Sequence, residues 1–358
     1  MGKLHVATVF SGIGAPEQAL KKLGISYDIV FACDNGEREL KETENEIRDQ
    51  ILGLSNEEAQ QVIKDLYNKT KKKNFVKESY FANYDISEEK WYEDIRFIDG
   101  TIYKNKVDLL VGGSPCQSFS VIGKRAGLND ARGTLFYDYA RLINEIRPKY
   151  FLYENVVGML NHDHGKTWKH IYQIFESLGY KIYPQVLNAV NYGIPQNRNR
   201  LYVVGIKDKK QDFNWPEHQE LKSSMFDYLE ENIPAHHYLG KKGFEFVTTS
   251  KRARVNEPII QTEKANQQFN WNGDFVFEPL EKVKNNSEIM KRAYVGVYNG
   301  ETGVCRQLTY RECARLMGFP DDFKIVVPNV PAYRQIGNSI VVNVLEAIFK
   351  ELLLYERK

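Results

Sequence analysis

Along the first 206 residues, apolar β-type runs alternate with amphipathic stretches of helical period. Strands are predicted at 4–10, 27–32, 107–111, 150–153, 182–187 and 201–206, with a further short strand at 80–84. Helices are predicted between them at 15–23, 135–146 and 168–178. This is the rhythm of βαβ units, and it predicts an α/β fold: a doubly wound, mostly parallel, Rossmann-like sheet with helices on both faces. Residues of roughly 37–78 interrupt it with a charged, helix-prone insertion ending in Lys69-Thr70-Lys71-Lys72-Lys73, which reads as a solvated surface excursion. From about Lys207 the rhythm stops. Short irregular runs rich in Asn, Gln and aromatic residues extend to about Gly303, and they predict a second, smaller domain. Regular structure returns with helical runs at 309–317 and 338–355. The expected division is therefore 1–207 plus 330–358 in one domain and 208–329 in the other.

Composition narrows the class. The chain has 358 residues, 42% of them hydrophobic and 27% charged, which is globular rather than disordered or fibrous. The four cysteines, Cys33, Cys116, Cys305 and Cys313, contain no C-x-x-C pair, so neither a zinc site nor a redox dithiol is indicated. Isolated thiols suit a reducing compartment. Mean hydropathy is −0.50 and no apolar run has membrane-spanning length. With no signal-peptide pattern after Met1-Gly2-Lys3, a cytoplasmic protein without membrane partners is expected. Net charge is only +2, so any nucleic-acid contact must rest on local charge.

Polar residues cluster where the predicted strands end, the edge at which open α/β sheets bind ligands. Phe10-Ser11-Gly12-Ile13-Gly14 follows the first strand and opens a helix, and its glycines allow close approach to the backbone. Alone, such a turn is weak evidence. Asp34 follows the second strand, where a carboxylate commonly accepts ribose hydroxyls, although a helix N-cap reads the same way. Asp85-Ile86 follows the 80–84 run. Together the three suggest a nucleoside-containing cofactor without separating NAD from S-adenosylmethionine. Gly112-Gly113-Ser114-Pro115-Cys116-Gln117 places a thiol at a strand end, and Glu154-Asn155 ends the next strand, so a nucleophile can face a carboxylic acid. In Gln196-Asn197-Arg198-Asn199-Arg200, alternation puts Gln196, Arg198 and Arg200 on one face.

These motifs, in this order, resemble the cytosine-5 DNA methyltransferases of bacterial restriction–modification type. The resemblance runs from the 10–14 turn through Gly113–Gln117, Gly133-Thr134-Leu135-Phe136, Glu154-Asn155-Val156 and Gln196–Arg200. It continues through Arg306-Gln307-Leu308-Thr309 and Met317-Gly318-Phe319-Pro320 to Tyr333-Arg334-Gln335-Ile336-Gly337-Asn338-Ser339. Three departures stand out. Asn35 occupies a position where many relatives carry an aromatic residue, Ala15 replaces a frequent third glycine, and the interval from Asp34 to Asp85 is long.

The resemblance implies methyl transfer from S-adenosylmethionine to C5 of a flipped-out cytosine in double-stranded DNA. It implies a catalytic set of Cys116, Gln117, Glu154, Asn155, Arg198 and Arg200: Cys116 adds to C6, Glu154 serves N3, and Arg198 stabilises charge at the exocyclic oxygen. Cofactor contacts fall to Phe10, Ser11, Gly12, Gly14, Asp34, Asn35, Asp85, Ile86, Pro115, Leu135, Asn338 and Ser339. A loop at 117–132 with Lys124, Arg125 and Arg132 is expected to close over DNA. The second domain, as target-recognition domain, offers Lys251, Arg252, Arg254, Gln261, Lys264, Gln267 and Gln268 as DNA-contacting candidates. No metal is implied, and the family suggests a monomer with a separately encoded companion restriction endonuclease. The same chemistry on tRNA and a catalytically inactive DNA-binding protein are the alternatives. A dinucleotide oxidoreductase is weakest, because Ser11-Gly12-Ile13-Gly14 lacks a third fingerprint glycine.

Overall fold

The computed structural model describes residues 2–115, 135–208, 210 and 212–355. Two compact units are present. The first comprises 1–187, 199–217 and 344–358, the second 188–198 and 218–343. Segments 188–198 and 330–343, expected in the larger domain, thus pack with the second unit.

The first unit is built on a seven-stranded sheet. Its strands are β1 (Leu4–Val9), β2 (Tyr27–Cys33), β3 (Trp91–Tyr92), β4 (Leu109–Gly112), β5 (Tyr150–Val156) and β6 (Lys181–Asn188), and, beyond the two-residue β7 (Gln196–Asn197), β8 (Asn199–Ile206). The spatial order is β3-β2-β1-β4-β5-β8-β6. Pairings from β3 through β5 are parallel and β5–β8 is antiparallel. All four residues of β4 and five of six in β1 are buried, the near-continuous apolar signature of a sheet covered on both faces. One core cluster joins Val9, Phe31, Leu110, Phe151 and Val203 to Tyr139, Leu142 and Ile143 of the helix Leu135–Ile146. Because β1 lies between β2 and β4, strand order reverses there, and the ends of these strands flank a topological switch point.

The charged insertion is more ordered than a plain solvated excursion. Helices Glu44–Ile51 and Asn56–Asn68 each open with a full capping box, Thr43 with Glu46 and Ser55 with Glu58. Ile47, Ile63, Leu66 and Tyr67 form a small core of their own. The predicted strand at 80–84 is instead the end of a helix, Phe75–Asn83, whose Asn74 side chain caps the Lys77 amide. Tyr80 and Tyr84 pack against each other one turn apart, with Tyr80 also against Trp91.

The second unit carries β9 (Arg254–Val255), β10 (Ile260–Gln261), β11 (Asp274–Pro279), β12 (Gly296–Tyr298) and β13 (Glu301–Gln307). They make a four-stranded sheet of order β12-β13-β11-β9 and a β10–β7 pair. Arg306, fully buried, donates to Glu278 at 3.1 Å and to both Glu312 oxygens at 2.8 and 2.9 Å, tying this sheet to the helix Tyr310–Leu316. The helix predicted at 338–355 begins only at Val342 (Val342–Tyr355), because Ser339 adopts an extended conformation; a separate helix, Asn329–Asn338, which the pattern did not predict, ends just before it. Among the described residues no helix is long and apolar enough to cross a membrane.

Candidate active site

The ends of β1 and β2 are joined through Ser11. Its Oγ accepts from the Cys33 amide at 3.0 Å and lies 2.8 Å from Thr8 Oγ1. Phe10 and Gly12 both have φ of 53°, so the chain turns sharply as it leaves the sheet. Gly14, at φ 77°, caps the helix Ala15–Lys22, and a Cβ there would lie 2.1 Å from the Tyr84 ring. A Cβ on Gly12 would meet nothing closer than 4.0 Å. The backbone at Gly12 therefore faces open space beside a helix N-terminus. Asp34 reaches across, accepting from the Gly12 amide at 3.0 Å and from Gly36 at 2.8 Å. Burial pushes its carboxyl above the usual range, against the pull of those two amides. Asn35 is engaged within its own turn, accepting from the Glu37 amide and donating to the Arg38 carbonyl.

Asp85 does not join this edge. It follows a helix, is exposed, and has no hydrogen-bond or ion-pair partner among the described residues; Ile86 is half-buried beside it. The third strand is β3, which pairs with β2 through Ala32–Trp91 and Cys33–Tyr92, and the residues leaving it are Glu93-Asp94-Ile95. Asp94 is buried, accepting from Tyr67 at 2.6 Å and from Arg96. The signal in the sequence is a second Asp-Ile dipeptide, placed shortly after the Trp-Tyr pair rather than after the longer aromatic run.

The ends of β4 and β5 lie side by side, with Gly112 opposite Tyr153. A Cβ on Gly113 would fall 2.6 Å from the Glu154 carbonyl oxygen and 3.2 Å from its carboxylate. Ser114 bonds the Tyr153 hydroxyl at 2.8 Å, and Asn155 donates to the Ser114 carbonyl at 2.9 Å, fixing the Gly113–Pro115 turn onto β5. Pro115 is exposed, and Leu135 packs on the main core at the start of its helix. Arg200, opposite Val156, places Nε 3.2 Å from the Glu154 carboxylate. Arg198 behaves differently. Its guanidinium is buried in the second unit and donates to the main-chain carbonyls of Glu263, Gly337 and Ser339. The arginine beside the acid is Arg200; Arg198, expected at the exocyclic oxygen, is held by these backbone contacts. Cys116, Gln117, Lys124, Arg125 and Arg132 lie outside the described residues. The other three cysteines are buried, and burial pushes their thiols up, Cys305 to about 12, so none is poised as a thiolate.

Alanine at Gly113 cannot be accommodated by a side-chain rotation, since the nearest atom is backbone. G113A is expected to move the two strand ends apart and cut kcat by about 100-fold, the scale of an ångström misplacement, while leaving most of the thermal stability. Turnover kinetics beside a melting curve check this; an unchanged kcat would contradict it.

The model of C-5 cytosine-specific DNA methylases matches residues 4–354. The chain belongs to this family. It is 34% identical over 307 residues to the type II methyltransferase M.HpaII of Haemophilus parainfluenzae, covering 76% of this chain and 82% of that one. It is 28% identical over 471 residues to the orphan methyltransferase M.SPRI of Bacillus phage SPR, covering 99% and 98%. A solved structure of Spodoptera frugiperda DNMT2 shares the fold, with TM-score 0.68 at 18% identity over 98% of this chain and all of that one. The protein is thus a DNA (cytosine-5-)-methyltransferase that uses S-adenosylmethionine, on the α/β fold expected.

The described residues of this methyltransferase fit that cofactor. The open approach to Gly12, the helix N-terminus behind Gly14 and the acceptor lone pairs of Asp34 suit an amino-acid and ribose end. Asn338 is exposed and Ser339 buried, both in the second unit. Of the DNA-contacting candidates, Lys251, Arg252, Gln261 and Lys264 are exposed. Arg254 is committed to Glu257, Asp274 and the Ile259 carbonyl. Gln267 closes its own loop onto the Lys264 amide, and the Gln268 carbonyl accepts from Gln307. Among the described residues there is no cluster able to hold a metal ion.

Proposed function

We propose that this methyltransferase acts on cytosine within a specific double-stranded DNA sequence, after the base has swung out of the helix, through a covalent bond between Cys116 and C6. The observation that carries this reading is the Glu154–Arg200 pair beside the Gly113–Pro115 turn, whose next residue in the chain is Cys116. C5 and C6 are inaccessible in a stacked base, so extrusion must precede chemistry, at a cost of about a few kcal/mol.

Cys116 adds as the thiolate, forming the S–C6 bond and placing the ring's electron pair at C5. Glu154 supplies a proton or hydrogen bond at N3, and Arg200 faces the charge that develops at the exocyclic oxygen, in place of Arg198. Asn155 holds the Ser114 carbonyl, keeping the Gly113–Pro115 turn in register with Glu154. Phe10, Ser11, Gly12, Gly14 and Asp34 would hold S-adenosylmethionine, which would supply the methyl group to C5 and depart as S-adenosylhomocysteine. Asp94-Ile95, leaving β3, replaces Asp85-Ile86 as the acid and apolar contact at the adenine end. A base, with water the simplest, then removes the C5 proton, and the electron pair expels Cys116. Lys124, Arg125 and Arg132 serve the phosphates during this cycle, and the exposed Lys251, Arg252, Gln261 and Lys264 meet DNA from the second unit. The protein works as a monomer on one strand at a time in the bacterial cytoplasm, with any companion endonuclease encoded separately.

Methylation of a random-sequence DNA library followed by bisulfite sequencing tests this reading. Protection confined to cytosine within one short motif is the expected result. In competition, duplex DNA should take up the methyl label and tRNA should not. Preferential labelling of tRNA would overturn the substrate assignment.

A further inference from the structure

Gln196 and Arg198 do more than precede a strand. β7 pairs with β10 through Gln196–Ile260 and Asn197–Gln261. Gln196, fully buried, accepts from the Glu263 amide at 3.1 Å and donates to the Leu316 carbonyl at 2.9 Å. Arg198 Nη1 donates to the Glu263 carbonyl at 2.8 Å, while Nη2 donates to the carbonyls of Gly337 and Ser339 at 3.0 and 2.9 Å. Both main-chain polar groups of Glu263 are thus held by this motif, and one guanidinium joins them to the end of the helix Asn329–Asn338. The same helix end touches the next residue directly. A Cβ on Gly337 would lie 2.3 Å from the Lys264 carbonyl oxygen and 2.7 Å from the Ala265 nitrogen, so two backbones meet where only glycine fits. Beyond this clamp the chain runs through Lys264, Asn266 and Phe269, all exposed, Phe269 by 63%.

We propose that Arg198 is a positioning residue for DNA recognition: it clamps the base of the 263–270 loop to the 337–339 helix end, so that the loop meets DNA in one geometry. This rests on the reading of the second unit as the DNA-recognising one. A planar fork with fixed donors can serve three carbonyls at once; a lysine ammonium of similar charge cannot reproduce that spread. The carbonyls it would leave are buried, so the loop base would rearrange to satisfy them.

The test measures methyl transfer by the full-length enzyme on the site recovered from the random library and on sites altered by one base. For R198K, KM for DNA is expected to rise about tenfold and cognate preference to fall about tenfold, with the single-turnover rate at saturating DNA changed less than about threefold. G337A, which forces the same two backbones apart from the other side, should give the same pattern and stands in if R198K does not fold. R200K should do the reverse, lowering the single-turnover rate without altering preference. A slowed R198K or G337A enzyme with intact preference would overturn the proposal. Loop variants K264A and Q267A separate the two readings. If they change preference while R198K and G337A do not, the clamp is wrong; if they leave it intact, the recognition role of the loop is wrong.

Discussion

Replacing Cys116 with serine is expected to lower the rate of methyl transfer by on the order of 10⁴-fold or more, with DNA binding retained. Cytosine C5 is a poor carbon nucleophile, and the reaction needs a group that adds to C6 as an anion and later departs easily. A thiolate does both, whereas a serine hydroxyl at neutral pH is almost wholly protonated and a poorer leaving group. No other thiol can substitute: Cys33, Cys305 and Cys313 are buried, with their pKa values raised by that burial. The covalent step gives an independent readout. With 5-fluorocytosine at the target, the C5 substituent cannot leave as a proton, so the wild-type enzyme should remain attached to DNA through denaturing electrophoresis and C116S should not. A serine variant of undiminished rate, or wild-type enzyme that never becomes attached, would remove the covalent mechanism while leaving the family assignment intact.

How much of this was legible depended on what encodes each feature. β1, β2, β4, β5 and the antiparallel β8 announce themselves because a sheet covered on both faces demands contiguous apolar residues. β3 is two residues long and offers no such run, and the aromatic stretch 80–84 reads as a strand because aromatic side chains favour both strands and packed helix faces. The Asn74 cap and the one-turn spacing of Tyr80 and Tyr84 carry the helical signal. The strand reading puts an Asp-Ile pair after 80–84, whereas the pair that leaves β3 is Asp94-Ile95. Glu154, Asn155 and the Gly113 turn are legible in the sequence because they sit at the ends of well-marked strands. Arg198 and Arg200, predicted to share a face, part company for a local reason. Period-two alternation assumes one uninterrupted strand, whereas β7 ends at Asn197 and β8 begins at Asn199. Arg198 falls in the break, and its side chain is drawn to carbonyls that are 65 to 141 residues distant in the chain. No sequence window contains that information.

Glu263 provides the second large expectation, a stability effect that depends on pH. The residue is 2% exposed, and burial pushes its pKa up to about 8, with the Cys313 thiol and the Arg198 guanidinium pulling the other way. An ordinary glutamate in the unfolded chain titrates near about 4.3. Between about pH 4.3 and 8 the folded protein therefore holds a proton that the unfolded chain has released. Stability from this group is complete below that window and falls as pH rises through it, by about 1.4 kcal/mol per unit at most. Glutamine has the shape and neutrality of the protonated acid without the titration. E263Q should match the wild-type protein near the acid end of the window and exceed it by roughly 4 kcal/mol at its alkaline end, the order of magnitude that a shift of this size allows. Asp274, pushed up to about 6 mainly by burial, adds its own slope in both proteins, and its charge is one of the causes that raise Glu263, so the difference between them includes that coupling. The check is the unfolding midpoint of the two proteins in urea at about pH 5, 6.5 and 8, values that span the window. Midpoints that diverge with rising pH are expected; curves that stay parallel would mean that Glu263 is already ionised in the folded protein, paired with the Arg198 guanidinium beside it.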